Sequence, residues 1–507
     1  MTFEHLLQGA EILSKSGNPS ISGIEYDSRR VKPGDAFVAI RGESSDGNKF
    51  IDKAISAGAV AVVADSASEK PRDGVAWAHV PHGRRALARL SANFYKRPAE
   101  RVTITGITGT NGKSTTAFLI EAILNAAGRK CALVGTIEYH VAGKVLPAPH
   151  TTPEALELNR MLADALGQGA TETVMEVSSH ALDQQRVYGI PFDVAVFTNL
   201  TRDHLDYHGT MDQYFASKQV LFEGCGTEAP RAAVINIDDD YGRKLEKVSR
   251  KRSSETLTYG LASGDFHAEK VEMKSRGTRL DLITPEGTIP LFSPLIGKVN
   301  VYNILAAAGA AYARDCDQQA IGRGLESLAR VPGRFERVDC KQPFTVVVDY
   351  AHTDDALRNL TALGREFVQR GGQEGRVITV FGCGGDRDRA KRPLMGEAAG
   401  RGSDFVVLTS DNPRSEDPLA IINDAMVGLQ RSGTKYKTEP DRHAAIAFAI
   451  HKASPGDIVM IAGKGHEKVQ VMRDGPIPFD DVQVAQQVLR EAGYDCEAAN
   501  AAAGKNP

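Results

Sequence analysis

The run Val102–Ser114, VTITGITGTNGKS, carries the residue types that grip a polyphosphate. Gly109 and Gly112 let backbone N–H groups curl round phosphate oxygens, with Thr108, Thr110 and Asn111 completing the loop. Lys113 supplies a point positive charge, and Ser114 offers a hydroxyl to Mg²⁺. An apolar, β-branched run precedes the loop, and TTAFLIEAILNAAG follows with helix-like composition. The order is therefore strand, phosphate loop, helix, and the helix N-terminus adds its own field. The strict pattern G-x-x-x-x-G-K-[ST] is missed by one residue, because Gly106 lies too far from Gly112. The expected chemistry is ATP or GTP binding; the alternative is a glycine-rich turn with a surface lysine.

Other chemistry-bearing residues fall at the ends of apolar runs. Glu176 ends TETVMEVSS, and His204 lies in the loop after VFTNL. In a parallel sheet both ends would face the phosphate loop, where a carboxylate and an imidazole can hold Mg²⁺ directly or through water. Read singly, Glu176 is a capping or salt-bridged carboxylate and His204 a loop histidine. Lys218, within YFASKQVLF, reads alone as a surface lysine. A desolvated lysine near metal ions could instead react with CO₂ and become a negatively charged carbamate ligand, which nothing in the spacing shows. Arg334, Asp349 and His352 flank the start of a second strand–helix alternation. An arginine there reaches phosphates across a cleft, and an aspartate suits a ribose hydroxyl; surface ion pairs are the alternative. Arg387, Asp411, Asn412, Pro413, Arg414, Gly463 and Glu467 stand at successive strand ends. Two arginines with an aspartate and a glutamate suit a zwitterion carrying both carboxylate and ammonium groups.

The elements that must position these residues follow from pattern. A length of 507 residues suggests about three domains. Residues 1–98 form a small mixed α/β unit with short strands in AFVAIRG and AVAVVAD. Residues 99–332 alternate strand and helix, implying a doubly wound sheet with ligands at the carboxyl ends of its strands. Within them, 257–294 alternates polar and apolar residues as an antiparallel extension. Val331–Phe335 has the turn chemistry of a boundary. Residues 333–495 repeat the alternation, and 496–507 read as a disordered tail. A net charge of −3 gives no electrostatic case for nucleic acid or anionic membrane. No apolar run approaches the roughly 20 residues of a membrane helix. The N-terminus lacks a basic start before an apolar core, so no secretory signal is expected. Six scattered cysteines without C-x-x-C spacing read as buried or free thiols in a reducing, cytoplasmic setting.

Taken together, TGTNGKST, HTTPEAL, MEVSSHALDQQRV, FTNLTRDHLDYHGTMDQYFASK, IGKVNVYNILAA, VPGRFE, VVDYAHTDDAL, FGCGGDRDRAKRP, SDNPRSEDP and AGKGHE resemble the Mur ligase family. The resemblance runs in family order from about residue 25 to 481, and the family's longer phosphate loop accounts for the spacing misfit. It implies a domain for the UDP end of the substrate, a central P-loop ATPase-like domain, and a Rossmann-like domain receiving an amino acid. It also implies ATP and Mg²⁺ as cofactors, a monomer, and UDP-MurNAc-L-Ala-D-Glu and meso-diaminopimelate as substrates. Carried over by position, Thr108–Ser114 hold the ATP phosphates, and Asn303, Arg334 and Asp349 contact the nucleotide. Ser114, Glu176, His204 and carbamylated Lys218 form the magnesium shell, so that Lys113, Lys218 and His204 serve catalysis. Tyr26, Ser28 and residues 43–45 resemble uridine-side contacts. Thr151, Thr152, Ser178, Gln184 and Arg186 resemble contacts to the muramoyl-dipeptide. Arg387, Asp411–Arg414, Gly463 and Glu467 match the amino-acid pocket. The D-N-P-R form resembles that associated with diaminopimelate rather than lysine, since Arg414 can pair with the extra carboxylate. His150 departs from the family, which commonly has Asn there. Rival readings are another ligase of the superfamily, such as folylpolyglutamate synthetase, and a nucleotide-driven switch.

Overall fold

Apolar runs rich in Val, Ile and Ala pair side by side in the middle of the chain because both faces of each are buried. The computed structural model describes residues 1–42, 45–66, 68–274, 276–370 and 375–496. Its central sheet runs Glu255–Tyr259, Ala232–Asn236, Val194–Phe197, Thr103–Thr108, Glu172–Glu176, Cys131–Val134, Glu138–Val141 and Lys144–Pro147. The first six strands are parallel, and the last two form an antiparallel hairpin at the edge. One face packs on the helices Lys113–Ala126 and Lys298–Ala313, the other on Ala155–Gly167 and Met211–Glu223. Each fully buried Leu, Ile or Val side chain in these layers stabilises by about 1.5–3 kcal/mol.

A second sheet runs Glu336–Val338, Thr345–Asp349, Ile458–Ala462, Val377–Phe381, Phe405–Leu408 and Lys435–Thr438. All but the first strand are parallel. A third, N-terminal sheet runs Ser14–Ser16, Ala76–His79, Ala61–Ala64, Asp35–Val38 and Gly23–Glu25. These are three α/β units, as the sequence pattern implies. The antiparallel extension is a three-stranded sheet of His267–Lys274, Gly277–Thr284 and Gly287–Ser293. It starts later than expected, because Leu257–Tyr259 continues the parallel sheet beside Ala232–Asn236.

The cysteine reading is corrected for one pair. Cys340 and Cys496 form a disulfide across 156 residues of sequence, while Cys131, Cys225, Cys316 and Cys383 are free. Sequence spacing gave no sign of it, because the pair is brought together only when Cys340, beyond an edge strand of the C-terminal sheet, meets the end of the chain after the last helix. The tail expected from 496 therefore has Cys496 tied down; 497–507 lie outside the described residues.

His140, on the edge hairpin, holds that hairpin to the helix after the phosphate loop. Its Nδ1 lies 2.7 Å from Glu121 Oε1 and its Nε2 2.9 Å from Glu138 Oε1. Burial opposes the imidazolium, but the two carboxylates outweigh it and push the group up to about 9 from 6.5. The sign follows: the stabilisation is complete below pH 6.5 and is lost as pH rises through 9. His140→Gln is expected to lower Tm by about 2–4 °C at pH 6, as for roughly 1 kcal/mol in a domain of this size. The difference should close by pH 9.5 in a pH series of thermal melts.

Candidate active site

Thr103–Thr108 ends between Glu172–Glu176 and Val194–Phe197, where the strand order reverses and a parallel sheet leaves a crevice at its carboxyl edge. Gly109 turns the chain there with φ +146°, and a Cβ on it would collide with Thr198 Oγ1. Gly112, with φ +88°, would collide with Asn303 Oδ1. Both positions need glycine. The loop is fixed by Thr198–Thr201, from the neighbouring strand end. Thr198 Oγ1 and Asn199 Nδ2 donate to the Asn111 carbonyl at 2.7 and 3.1 Å, and Asn199 Oδ1 accepts from the Asn111 N–H at 3.0 Å. Thr110 Oγ1 donates to the Thr201 carbonyl at 3.2 Å. Buried Asn303 accepts from Thr116 Oγ1 at 3.4 Å, so it sits against the first turn of the loop's helix. Thr108 is buried at the end of the strand.

Cations converge on this loop. Lys113 Nζ donates to the carbonyls of Gly109 and Thr110 at 3.0 and 2.8 Å. Burial lowers its pKa, against the attraction of Glu176 and Asp203. Lys218 is not a surface lysine: it is 1% exposed, donates to the Gly109 carbonyl at 2.8 Å and lies 4.6 Å from the Tyr214 ring centroid. Burial, then the charge of Lys113, drives it well below the usual ammonium range. Its helix, Met211–Glu223, reads as amphipathic only in three dimensions, where Lys218 joins Tyr214, Leu221 and Phe222 on the buried side.

Glu176 is 1% exposed and is neither a helix cap nor an ion pair. It accepts from the Thr136 N–H at 2.8 Å and the Thr136 hydroxyl at 3.0 Å. Ser114 is buried, and its hydroxyl accepts from Arg334 Nη2 at 3.2 Å. His204 takes left-handed backbone, φ +54°, a conformation uncommon outside glycine that clusters at ligand sites. Its N–H donates to Asp203 Oδ1 at 2.9 Å. Burial holds the imidazole neutral despite Asp203, leaving one ring nitrogen lone pair for a cation. Hydroxyl, carboxylate and neutral imidazole are a donor set suited to a divalent cation that keeps several waters. Among the described residues no group of three or more His, Cys, Asp or Glu side chains is arranged to hold a metal ion.

The C-terminal sheet presents its own carboxyl edge to the same crevice. Asn111 Nδ2 donates to Asp355 Oδ2 at 3.0 Å. Asp203 lies 3.6 Å from Lys391 Nζ and 3.9 Å from His352 Nε2. The Arg334 guanidinium sits 4.5 Å from the Tyr350 ring centroid, so it is a bridge between units rather than a surface ion pair. Asp349 accepts from the N–H groups of Phe335 and Ala351 at 2.7 and 2.8 Å, which fixes the turn carrying Arg334. Thr136, Asn199, Asp203 and Asp355 escaped the sequence reading. Only Asp203 and Asp355 had any signal, as the lone acid of TRDH and one of the acidic pair of TDDA.

The residues expected to contact the dipeptide form one network beside Glu176. Thr151 and Thr136 hydroxyls lie 3.0 Å apart. Thr152 Oγ1 donates to the Glu176 carbonyl at 2.8 Å and accepts from the Ser178 N–H at 3.1 Å. Arg186 donates to the Thr152 carbonyl at 3.0 Å and to Gln184 Oε1 at 2.7 Å, and pairs with Glu154 at 3.0 Å. His150 accepts at its carbonyl from the Tyr139 hydroxyl. At the N-terminal unit, the Tyr26 hydroxyl donates to Glu157 at 3.2 Å, and Ser28 is buried. Of the loop 43–45, residues 43 and 44 lie outside the described residues.

The residues expected to form an amino-acid pocket come together from three loops. Arg387 and Arg414 flank Gly384, where a Cβ would lie 3.8 Å from Arg387 Cγ and 3.0 Å from Arg414 Nη1. Neither guanidinium forms an ion pair among the described residues, and Arg414 takes left-handed backbone at φ +52°. Burial, then repulsion from Arg387, lowers the Arg414 pKa. The pair is a ready receptor for carboxylate. The Pro413 carbonyl packs on Gly385. Gly463, φ +114°, is needed because a Cβ would lie 2.6 Å from Asp411 Oδ2. Glu467 accepts from Asn412 Nδ2 at 2.8 Å. Behind them Arg442 and Asp481, both fully buried, pair at 2.7 Å, and Arg442 donates to the carbonyls of Ser410 and Ala462 at 3.3 and 3.0 Å. That pair, invisible to motif reading, anchors both pocket loops.

Three family descriptions match the chain: Mur ligase family, catalytic domain, over 20–95; Mur ligase middle domain, over 107–311; and Mur ligase, glutamate ligase domain, over 333–465. The chain is 54% identical over 475 residues to a UDP-N-acetylmuramoyl-L-alanyl-D-glutamate–2,6-diaminopimelate ligase of Solibacter usitatus, covering 94% of each. It is 45% identical to the ligase of the same name from Geobacillus thermodenitrificans, covering 94% of this chain and 96% of that one. A solved structure of that name is similar at TM-score 0.67 and 34% identity, covering 97% of this chain and 99% of that one. MurF of Thermotoga maritima in complex with ADP shares the fold at TM-score 0.63 and 20% identity, covering 92% of this chain and 98% of that one.

The phosphate loop gives a direct test. Gly109→Ala puts a methyl group into Thr198 on backbone that disfavours it. Affinity for ATP, measured by calorimetry, should fall at least about tenfold, a loss of roughly 1.4 kcal/mol. The C-terminal pair Arg442–Asp481 should be untouched, leaving the main unfolding transition in place.

Proposed function

The chain belongs to the Mur ligase family, and on that footing we propose that it is the ATP-dependent ligase that adds meso-diaminopimelate to UDP-MurNAc-L-Ala-D-Glu. The products are the UDP-MurNAc-tripeptide, ADP and phosphate, and the pathway served is peptidoglycan synthesis. The observation that carries this reading is the meeting of two carboxyl edges. A phosphate loop on one is bridged by Asn111–Asp355 and Ser114–Arg334 to a sheet whose loops hold an unpaired Arg387–Arg414 couple. We assign residues 1–98 to the UDP end, 99–332 to ATP and the dipeptide, and 333–495 to the amine. The enzyme acts as a cytoplasmic monomer in this reading; among the described residues no helix is long and apolar enough to cross a membrane.

The D-Glu side-chain carboxylate attacks the γ-phosphorus, the P–O bond to ADP breaks, and an acyl phosphate forms. The amine then attacks the acyl carbon, phosphate leaves, and the nitrogen gives up a proton. Lys113 and the loop N–H groups hold the phosphates and offset charge on the transferring group. Arg334, from the opposite edge, reaches the phosphates, and Asp349 keeps it there. Ser114, Glu176 and His204 would hold Mg²⁺, which supplies further neutralisation of phosphoryl charge when bound. Thr151, Thr152, Ser178, Gln184 and Arg186 orient the dipeptide, so that most of the rate gain is positioning. The depressed Lys218 amine is the form that adds to CO₂: its nitrogen bonds the carbon, one proton leaves, and a carbamate anion results.

Arg387 and Arg414 support diaminopimelate over lysine, because lysine lacks the far carboxylate and would leave an arginine unmatched. With the two amines compared side by side, kcat/KM should favour meso-diaminopimelate at least about 100-fold. Equal use of L-lysine would overturn the assignment. Phosphate release should require both dipeptide and amine; steady release with ATP alone would favour the nucleotide switch.

Lys218→Ala should lose at least about 100-fold in kcat, and millimolar short-chain carboxylic acid should restore part of it by replacing the carbamate. Full activity of that variant would remove the carbamate role.

A further inference from the structure

Beneath the amine pocket lies a cation that no ligand can touch. Lys464 is 0% exposed, and its three N–H bonds are all spent inside the protein. It donates to Asn412 Oδ1 at 3.0 Å, to Glu467 Oε2 at 2.8 Å and to the Val469 carbonyl at 2.6 Å. Asn412 Oδ1 also accepts from the Val471 N–H at 2.9 Å. Both lone pairs of that oxygen are filled, so the amide has a single orientation, with Nδ2 donating to Glu467 Oε2 at 2.8 Å. Glu467 Oε2 thus takes two donors, whereas its Oε1 has no partner among the described residues. One carboxylate oxygen is consumed by the protein and the other is presented.

We infer that Lys464 is a positioning residue for the incoming amine, fixing Asn412 and Glu467 as one constellation whose presented carboxylate oxygen receives the ammonium group of the amino acid. The inference rests on the amine-pocket reading above. Its complement is the couple Arg387–Arg414, which receives carboxylate, so an α-amino acid is gripped at both charges. Removing Lys464 would leave Glu467 partly buried without its counter-charge and would leave Asn412 Oδ1 with the Val471 N–H as its remaining donor. Burial alone would raise the Glu467 pKa, but Lys464, by charge and hydrogen bond, overrides it and holds the carboxyl below its usual range. The anion is therefore maintained by a residue outside the ligand's reach.

The test compares wild type with Lys464→Met, Glu467→Gln and the double variant. Lys464→Met should raise KM for meso-diaminopimelate at least about tenfold while KM for ATP and for UDP-MurNAc-L-Ala-D-Glu stay within about twofold. The acid limb of kcat/KM for the amine should move to higher pH in Lys464→Met and vanish in Glu467→Gln. An unchanged amine KM, or a parallel rise in all three, overturns the inference. The four Tm values give a second reading that needs no substrate: the losses should be strongly non-additive, and simple additivity counts against Lys464 acting through Glu467. If wild type makes no product from meso-diaminopimelate, the substrate reading falls, and this cycle alone decides for or against the Lys464–Glu467 linkage.

Discussion

Parallel pairing on both sides of Thr103–Thr108 is the constraint on which the rest depends. Because Glu172–Glu176 and Val194–Phe197 run in the same direction as that strand, all three end at one edge. Glu176, the phosphate loop and the Thr198–Thr201 buttress are therefore delivered to one crevice by backbone hydrogen bonds alone. The loop itself then needs no side-chain bulk, and Gly109 and Gly112 give way to Thr198 and Asn303. The C-terminal sheet uses the same logic, with Asp349 and Ala462 opposite one another in register. Two parallel sheets placed edge to edge make a cleft with Lys113 and Lys218 on one wall and the Arg387–Arg414 couple on the other.

Buried charge is handled in opposite ways on those two walls. Lys218 meets a carbonyl and an aromatic face, with another lysine nearby, and desolvation outweighs Asp203 to push it well below the usual ammonium range. Lys464 and Arg442 are as deeply buried but face Glu467 and Asp481. Breaking such a pair by removing one partner costs about 3–5 kcal/mol, because the other charge is left stranded. The first wall thereby carries an amine of lowered basicity, the second carboxylates held by buried cations. His204 and Arg414 hold left-handed backbone on either wall, the kind of local strain that a surrounding packed site can sustain.

The units are also joined by polar rather than apolar contacts at the site. Arg334–Ser114, Asn111–Asp355 and the approach of Lys391 and His352 to Asp203 all lie across the cleft. At the N-terminal side, Tyr26 and Arg30 meet Glu157, and Arg84 meets Glu154. Polar bridges of this kind exchange readily for ligand contacts, since water or phosphate can replace each partner at small net cost. The hydrophobic cores lie mainly within the units, with Leu156 of helix Ala155–Gly167 set into the N-terminal core.

The sequence by itself determined the inner strands of the two large sheets, the phosphate loop and the family, because periodicity of apolar residues and contiguous motifs are local and survive being read one residue after another. It also located Ser114 where the phosphate loop opens its helix, His204 in the loop after a strand, and Glu176, Arg387 and Glu467 at strand ends, and direction of pairing did the rest. What only the tertiary structure decided was partnership. Lys218 looks like a surface lysine until its helix is seen against the phosphate loop. Cys340 and Cys496 carry no mutual signal across 156 residues. Thr136 beneath Glu176, Asp355 against Asn111, and Lys464 behind Glu467 belong to no spacing rule. Burial and counter-charge are properties of neighbours brought together by folding, and they set which groups are ionised, which are fixed and which are left for a ligand.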